Sequence, residues 1–163
     1  MKPKVLLMVV LAVVAALATM STAVAAPALH GAMGGGSAIH EGGVGSVDIA
    51  FTAQQVDESG SAKGQVVFQS HVGTTSDRVK FGVLYLVVDN GTAWMGLVVT
   101  QSDIEWVDMG SEFIWAVQDN GEGNKASGPD MFSGFWEAPA TDALSQPALN
   151  LEGYWANGNV QVR

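Results

Sequence analysis

The chain has 163 residues, of which 48% are hydrophobic and none is cysteine, and its formal net charge is −9 at pH 7. This length is enough for one domain with a hydrophobic core that needs no disulfide bonds. The excess of carboxylates repels phosphate backbones, so a nucleic-acid partner is not expected.

The N-terminal segment has the organisation of a secretory signal peptide. Lys2 and Lys4 precede an uncharged apolar run at residues 5–18, and small residues follow as far as Ala25. A membrane anchor is the alternative, but the apolar run has 14 residues, whereas a spanning helix needs roughly 20. We predict cleavage after Ala25, because a cut one residue later would place Pro27 directly behind the bond.

The predicted domain organisation follows from this cleavage. Removing residues 1–25 takes away two lysines and changes the formal charge from −9 to −11. Residues 26–45 are rich in glycine and are predicted to be a flexible lead-in, with one short strand near residues 37–40. Residues 46–163 are predicted to form a single β-domain. We expect it to be secreted or extracellular, or periplasmic if the cell has an outer membrane, with no membrane span after signal removal.

A β-hairpin at residues 78–101 is the clearest element of the sequence. Its two arms alternate apolar and polar residues, which is the pattern of half-buried strands. Between them lies Asn90-Gly91, the strongest short signal for a type I′ turn, because that turn needs positive φ at both central residues. One face of the first arm carries Val79, Phe81, Val83, Tyr85 and Val87, and one face of the second carries Ala93, Met95, Leu97 and Val99. Beyond Leu84 the other face of the first arm becomes apolar too, at Leu86 and Val88, so this end is predicted to be covered on both faces.

Further strands are predicted on both sides of this hairpin. They cover residues 47–54, 63–72, 111–118, 131–137, 149–155 and 160–163, and Asn157-Gly158 is predicted to be a second turn. Residues 139–147 have no strand period, and the chain after residue 25 contains no amphipathic helical run. The predicted fold is therefore all-β, an antiparallel meander in a small closed or nearly closed β-barrel. A two-sheet β-sandwich is the alternative.

The order of several short motifs resembles a group of small secreted bacterial β-proteins that are similar to the post-COAP domain. These motifs are a strand beginning near Val47, Ala62-Lys63-Gly64-Gln65, Asn90-Gly91-Thr92-Ala93, residues 113–117, Asp119-Asn120-Gly121-Glu122-Gly123, Pro129-Asp130 and residues 158–162. Many members of that group carry a cysteine in the strand before the Asn-Gly turn, where this chain has Leu84, Tyr85 and Leu86. The resemblance implies an exported β-domain and supplies no catalytic residues, because the group has no agreed activity.

The acidic loop at residues 119–130 holds the candidate metal ligands. Asp119, Glu122 and Asp130 offer carboxylate oxygens, and glycines in the loop free backbone carbonyls, which together suit the oxygen ligands that Ca²⁺ prefers. The spacing differs from that of an EF-hand. The other interpretation, which the sequence favours, is an acidic turn in which Asp119 binds freed backbone N–H groups.

The five tryptophans suggest a second kind of site. Exposed indoles can stack on sugar rings, whereas indoles in a small barrel fill its interior. Trp94 and Trp106 are the candidates for exposure, and Trp115 lies in the inward register of its strand.

The sequence offers little support for an enzyme. It contains no Gly-x-Ser-x-Gly motif and no histidine spacing typical of zinc. We therefore expect an exported, non-catalytic β-domain with a binding or structural role outside the cytoplasm and no cofactor, with Ca²⁺ at the acidic loop as the alternative. A carbohydrate-binding module is the first alternative, and a hydrolase with a pair of acids is the second.

Overall fold

The computed structural model describes residues 29–39, 45–121, 126–155 and 157–163, and most of them lie in one antiparallel sheet. A 3₁₀ helix, Ala140–Ser145, lies outside the sheet. The strands are β1 (Gly31–Ile39), β2 (Gly45–Gln55), β3 (Ala62–Val72), β4 (Thr75–Asp89), β5 (Thr92–Ser102), β6 (Glu112–Gln118), β7 (Met131–Ser133), β8 (Trp136–Glu137), β9 (Leu151–Tyr154) and β10 (Asn157–Val162).

The sheet is a meander that curls into a half-barrel. Its strand order is β10-β1-β2-β3-β4-β5-β6-β7-β9, and β8 pairs with β6 beside that path. Strands β1 to β6 are neighbours in both sequence and space. The all-β, antiparallel prediction is confirmed, and the strands belong to one curled sheet instead of the two sheets of a sandwich.

The central hairpin turn has the predicted geometry. Asn90 has a φ of 48° and Gly91 a φ of 76°, so both central residues adopt the left-handed conformation of a type I′ turn. Asp89 and Thr92, which flank the turn on either side, pair with each other. The Asn-Gly dipeptide thus fixes the register in which β4 and β5 begin to pair.

The inward register of β4 changes in its second half. Val79, Phe81 and Val83 point into the core, but the ladder to β5 shifts between Val83 and Tyr85. This β-bulge inserts one residue and reverses the alternation beyond it. Leu86 is therefore fully buried in the core, whereas Tyr85 is half-buried.

Aromatic rings fill the concave side of the sheet. The Phe135 ring stacks on Phe81 with a centroid distance of 4.9 Å and on Trp115 with a centroid distance of 5.3 Å. Phe51 meets Trp115 edge to face at 5.2 Å. The Trp115 Nε1–H donates to the backbone oxygen of Ser133 at 3.0 Å, so the buried indole has a partner for its polar atom. The interior of the half-barrel is a packed core.

Strand β1 occupies much of the segment that was expected to be a flexible lead-in. It pairs with β2 on one side and β10 on the other over its glycine-rich length. A Cβ atom on Gly34 would overlap the backbone oxygen of Asn159, so the bare backbone lets β10 approach closely. Small residues do not produce a hydrophobic alternation, and this is why the sequence pattern indicated only a short strand.

The 3₁₀ helix covers the outer face of β4, β5 and β6. Gly96 makes room for it, since a Cβ atom there would overlap the backbone oxygen of Ala140. The Trp94 Nε1–H donates to the backbone oxygen of Pro147 at 3.1 Å, so this outward indole is half-covered. Ala140 and Ala143 are buried against the sheet. The predicted break at residues 139–147 is therefore a cover for the outer face.

Two predictions about the C-terminal strands were wrong. Residues 131–137 form two short strands, and Phe135 between them enters the core instead of continuing one strand. Asn157-Gly158 is not a turn, because both residues pair with β1 as part of β10. Gly158 has a φ of 148°, and a Cβ atom there would overlap the Gly35 backbone. Close approach of two backbones explains this glycine.

The predicted signal peptide at residues 1–25 and its cleavage site lie outside the described residues. In the part of the chain that the structure describes, no helix has the length and apolar character needed to span a membrane.

Candidate functional site

The two described carboxylates of the acidic loop hold the last strand in place. Asp119 follows β6, and its Oδ2 accepts a hydrogen bond from the Val162 backbone N–H at 3.1 Å. Asp130 precedes β7, and its Oδ2 accepts from the Val160 backbone N–H at 2.8 Å. These four residues, Asp119, Asp130, Val160 and Val162, form what we call the carboxylate seam.

The seam follows from the alternation of backbone groups along β10. Arg163 exchanges both backbone hydrogen bonds with Gly31 of β1, so the amides of Val160 and Val162 point away from β1. Those amides need acceptors, because a buried unpaired N–H group is destabilising. Two side-chain carboxylates supply the acceptors that a further strand would otherwise provide.

The other oxygens of the seam carboxylates organise the acidic loop itself. The Asp119 Oδ1 accepts from the Gly121 N–H at 2.8 Å, and the Asp130 Oδ1 accepts from the Asn120 N–H at 2.9 Å. Asp130 is 9% exposed. Each carboxylate thus binds two backbone N–H groups, which matches the backbone-binding interpretation that the sequence favours for Asp119.

The calcium hypothesis stays a prediction. Glu122, its third proposed ligand, lies outside the described residues. Asp119 and Asp130 both accept hydrogen bonds from backbone N–H groups of β10. Among the residues with a described placement, no group of three or more His, Cys, Asp or Glu side chains is suited to a metal ion.

The five tryptophans divide into core and surface. Trp115 and Trp155 are buried, and Trp94 is half-buried beneath Pro147. Trp106 is 80% exposed and Trp136 is 54% exposed. The exposure predicted for Trp106 is confirmed, whereas Trp94 is only partly exposed. Trp136 is also exposed, and it lies in the short strand β8 that pairs with β6.

Trp106 lies on a well-anchored loop between β5 and β6, residues 103–111. Val107 is 9% exposed and packs into the core, while the Asp103 N–H donates to the Arg78 oxygen at 2.9 Å. The Gly110 N–H donates to the Val99 oxygen at 2.9 Å. These contacts fix the backbone, yet Trp106 and Met109, which is 74% exposed, point into solvent. We call this segment the β5–β6 loop.

The loop lies at an end of the half-barrel that carries more exposed apolar side chains. In an antiparallel meander, the β1–β2, β3–β4 and β5–β6 connections share one end of the sheet. Ile39, the last residue of β1, is 71% exposed, and Val72, the last residue of β3, is 46% exposed.

Three acidic residues flank Trp106 in the sequence of the loop. Asp103, Glu105 and Asp108 of the β5–β6 loop are all exposed. The sequence has no lysine or arginine between Lys80 and Lys125. On the neighbouring strand β4, the Arg78 backbone oxygen accepts from the Asp103 N–H and Lys80 lies opposite Gln101, so the three carboxylates of the loop outnumber the two basic residues beside it.

A separate polar cluster lies on the outer face of β1, β2 and β3. The Ser37 hydroxyl donates to Asp48 Oδ1, and the His71 Nε2 lies 3.1 Å from Asp48 Oδ2. Here the carboxylate is in the middle, so the histidine does not contact the hydroxyl as the base of a nucleophilic triad would. The sequence pattern did not indicate this cluster, because Ser37 and Asp48 come together only when β1 and β2 pair.

Comparison of the chain with protein-family models, with curated proteins and with solved structures finds no match in any of the three.

Proposed function

We propose that this chain is an exported, non-catalytic β-domain that binds a partner outside the cytoplasm through its β5–β6 loop. The observation that carries the proposal is the exposure of Trp106, 80%, on a loop whose backbone is hydrogen-bonded to the sheet. An apolar side chain held in water on a fixed backbone is typical of a contact surface.

The packed interior supports an external binding surface. The concave side of the sheet is filled by Phe81, Trp115 and Phe135, and these rings contact one another directly. A ligand therefore meets the domain at its ends or outer face. The two described carboxylates of the acidic loop bind backbone amides, which gives them a structural role that needs no catalysis.

Export is tested by the N-terminus of the mature protein. The small residues before Ala26 and the proline after it predict that the secreted chain starts at Ala26. N-terminal sequencing of protein from the culture medium should find this start. Secreted protein that still begins at Met1 would contradict the predicted maturation.

Binding is tested with the mature chain, residues 26–163, carrying a fluorescent label. We expect it to associate with the surface of the producing cells, and Trp106→Ser should reduce the bound fraction at unchanged melting temperature. Trp136→Ser is the matched control, because it removes another exposed indole. Equal binding by Trp106→Ser and the parent, or turnover of a glycoside substrate, would overturn the proposal.

Carbohydrate binding is the second candidate, and the exposure of both Trp106 and Trp136 favours it. Sugar rings present C–H groups that stack on aromatic faces. A carbohydrate site that uses both indoles predicts that each single variant weakens retention on insoluble polysaccharides. Retention that neither substitution changes would remove this candidate.

A further inference from the structure

We infer that the β5–β6 loop is a docking surface for a basic protein segment, with a lysine or arginine side chain of the partner on the Trp106 indole; this rests on the proposed function and names the partner's chemistry. The face of an indole ring carries partial negative charge, so it attracts cations placed above it. Trp106 is exposed enough for a side chain to reach that face.

The charges of the loop favour a cationic partner over a neutral one. Asp103 and Glu105 precede the indole and Asp108 follows it, and all three side chains are exposed. Within the described part of the chain, none of these three carboxylates forms an ion pair; the ion pair found there joins His71 to Asp48. A guanidinium or ammonium group over Trp106 would meet these carboxylates at the border of its contact.

The same charges disfavour the other classes of occupant. An anionic lipid surface or a nucleic acid would bring like charge against Asp103, Glu105 and Asp108. A neutral polysaccharide would gain the indole contact but nothing from the three carboxylates. A basic peptide is the partner that uses the ring, the exposed Met109 and the carboxylates together.

The anchoring of the loop favours binding without rearrangement. The Val107 N–H donates to the Ile104 oxygen at 3.1 Å, and the Ser111 N–H donates to the Asp108 oxygen at 3.2 Å. The Ser102 hydroxyl accepts from the Ile104 N–H at 3.0 Å. A backbone that is already ordered loses little conformational freedom on association.

The experiment measures tryptophan fluorescence of the mature chain during titration with a short peptide rich in lysine and arginine. Peptides of the same length made of glycine and serine, or of glutamate, serve as neutral and acidic probes. We expect binding of the basic peptide alone, weaker at about 0.3 M salt than at about 0.02 M, because salt screens exposed charges. Trp106→Ala should lower the affinity by about tenfold or more.

A matched pair of triple variants separates a specific site from general attraction to an acidic protein. The first is Asp103→Asn, Glu105→Gln and Asp108→Asn within the loop. The control is Glu58→Gln, Asp89→Asn and Asp142→Asn, which removes the same charge from two turns at the opposite end of the sheet and from the 3₁₀ helix. Only the loop variant should lose affinity. Equal losses in both would mean nonspecific attraction and would overturn the inference.

The outcomes also distinguish this inference from the proposed function. If Trp106→Ser weakens cell-surface binding but the basic peptide does not bind, the loop is a contact surface and its assigned partner is wrong. If Trp106→Ser leaves cell-surface binding intact, the proposed function itself fails. Binding of the neutral polysaccharide through Trp106 would likewise overturn the basic partner.

Discussion

The Asp130 carboxylate accepts a hydrogen bond of 2.8 Å from the backbone N–H of Val160, 30 residues further along the chain. The contact is buried and joins the start of β7 to the middle of β10. Asp119 makes the equivalent hydrogen bond to Val162. Together the two contacts bind the edge of β10 that faces away from β1.

Removing this carboxylate should destabilise the domain. Asp130→Ala leaves the buried Val160 N–H without its acceptor, so we expect a loss of about 1–3 kcal/mol in the free energy of unfolding. Urea unfolding followed by tryptophan fluorescence measures it. Asp142→Ala removes an exposed carboxylate from the 3₁₀ helix and should change stability by less than about 0.5 kcal/mol. Similar losses in both variants would contradict the role of the seam.

The central turn makes a second prediction. Gly91 has a φ of 76°, and a Cβ atom at this position would lie 3.1 Å from the backbone oxygen of Asp119. A β-branched side chain resists that conformation, so Gly91→Val should lower the free energy of unfolding by roughly 1–3 kcal/mol. Asn90→Gly keeps the positive φ accessible and serves as the control. A valine variant as stable as the parent would mean that the turn tolerates side chains.

The third prediction concerns the contact between Gly96 and the 3₁₀ helix. Gly96→Ala places a methyl group against the Ala140 backbone and should displace the helix, at a loss of about 1–3 kcal/mol in the free energy of unfolding. The fluorescence of Trp94 should change as well, because its indole is bound to Pro147. Gly128→Ala, where a Cβ atom meets no neighbour within 4 Å, is the control. An unchanged spectrum would contradict the packing described for this face.

Acid sensitivity follows from Asp57 in the β2–β3 turn. A hydrogen bond of 2.6 Å from the Ser59 hydroxyl is the main cause that lowers the pKa of this carboxyl below its ordinary value of 3.8, and bonds from Ser61 and the Ser59 backbone add to it. Since folding lowers this pKa, the ionised carboxylate stabilises the folded state above pH 3.8. That contribution is lost as the pH falls through the lower, folded value.

Substitution separates this contribution from other acid effects. Asp57→Asn should flatten the decline of the urea midpoint as the pH is lowered from about 5 to about 2. Ser59→Ala removes the largest cause of the lowered pKa and should give a smaller change in the same direction. The idea fails if the asparagine variant and the parent lose stability in parallel over this range.

Calcium supplies the last prediction. If Asp119, Glu122 and Asp130 bind Ca²⁺ in the folded state only, the ion should increase the free energy of unfolding by RT ln(1 + [L]/Kd), which is about 2.7 kcal/mol at a hundredfold excess over Kd. The melting temperature should rise as a result. Melting curves in millimolar calcium and in chelator measure it, and Glu122→Gln keeps the backbone contacts of the other two carboxylates. Coincident curves would leave Asp119 and Asp130 with their backbone role alone.

Local patterns predicted local structure well in this chain. Asn90-Gly91 located the central turn, and the alternation from Ala93 to Val99 identified the inward face of β5. Within β4 a bulge between Val83 and Tyr85 reverses the alternation, whereas the apolar residues beyond Leu84 predicted only that both faces are covered there. The alternation failed in β1, whose glycines allow close strand pairing without producing a hydrophobic period.

The contacts of the candidate sites were harder to predict because they join distant residues. The backbone N–H groups that donate to Asp119 and Asp130 lie 43 and 30 positions away, so the loop sequence could not distinguish metal ligands from acceptors of backbone hydrogen bonds. Trp106 was a candidate for exposure from the sequence, but the exposure of Trp136 depends on the short pairing of β8 with β6. Tertiary pairing decides such cases, and a single sequence does not contain it.

The carboxylate seam also bears on how the domain behaves at high concentration. Amides that point outward from a terminal strand are what an incoming strand of another molecule needs for aggregation by edge-to-edge pairing. At Val160 and Val162 those amides already bind Asp130 and Asp119, and the acidic side chains add negative charge beside the edge. A second molecule would have to displace both carboxylates before its backbone could pair, so this end of the sheet is a poor template for fibre growth.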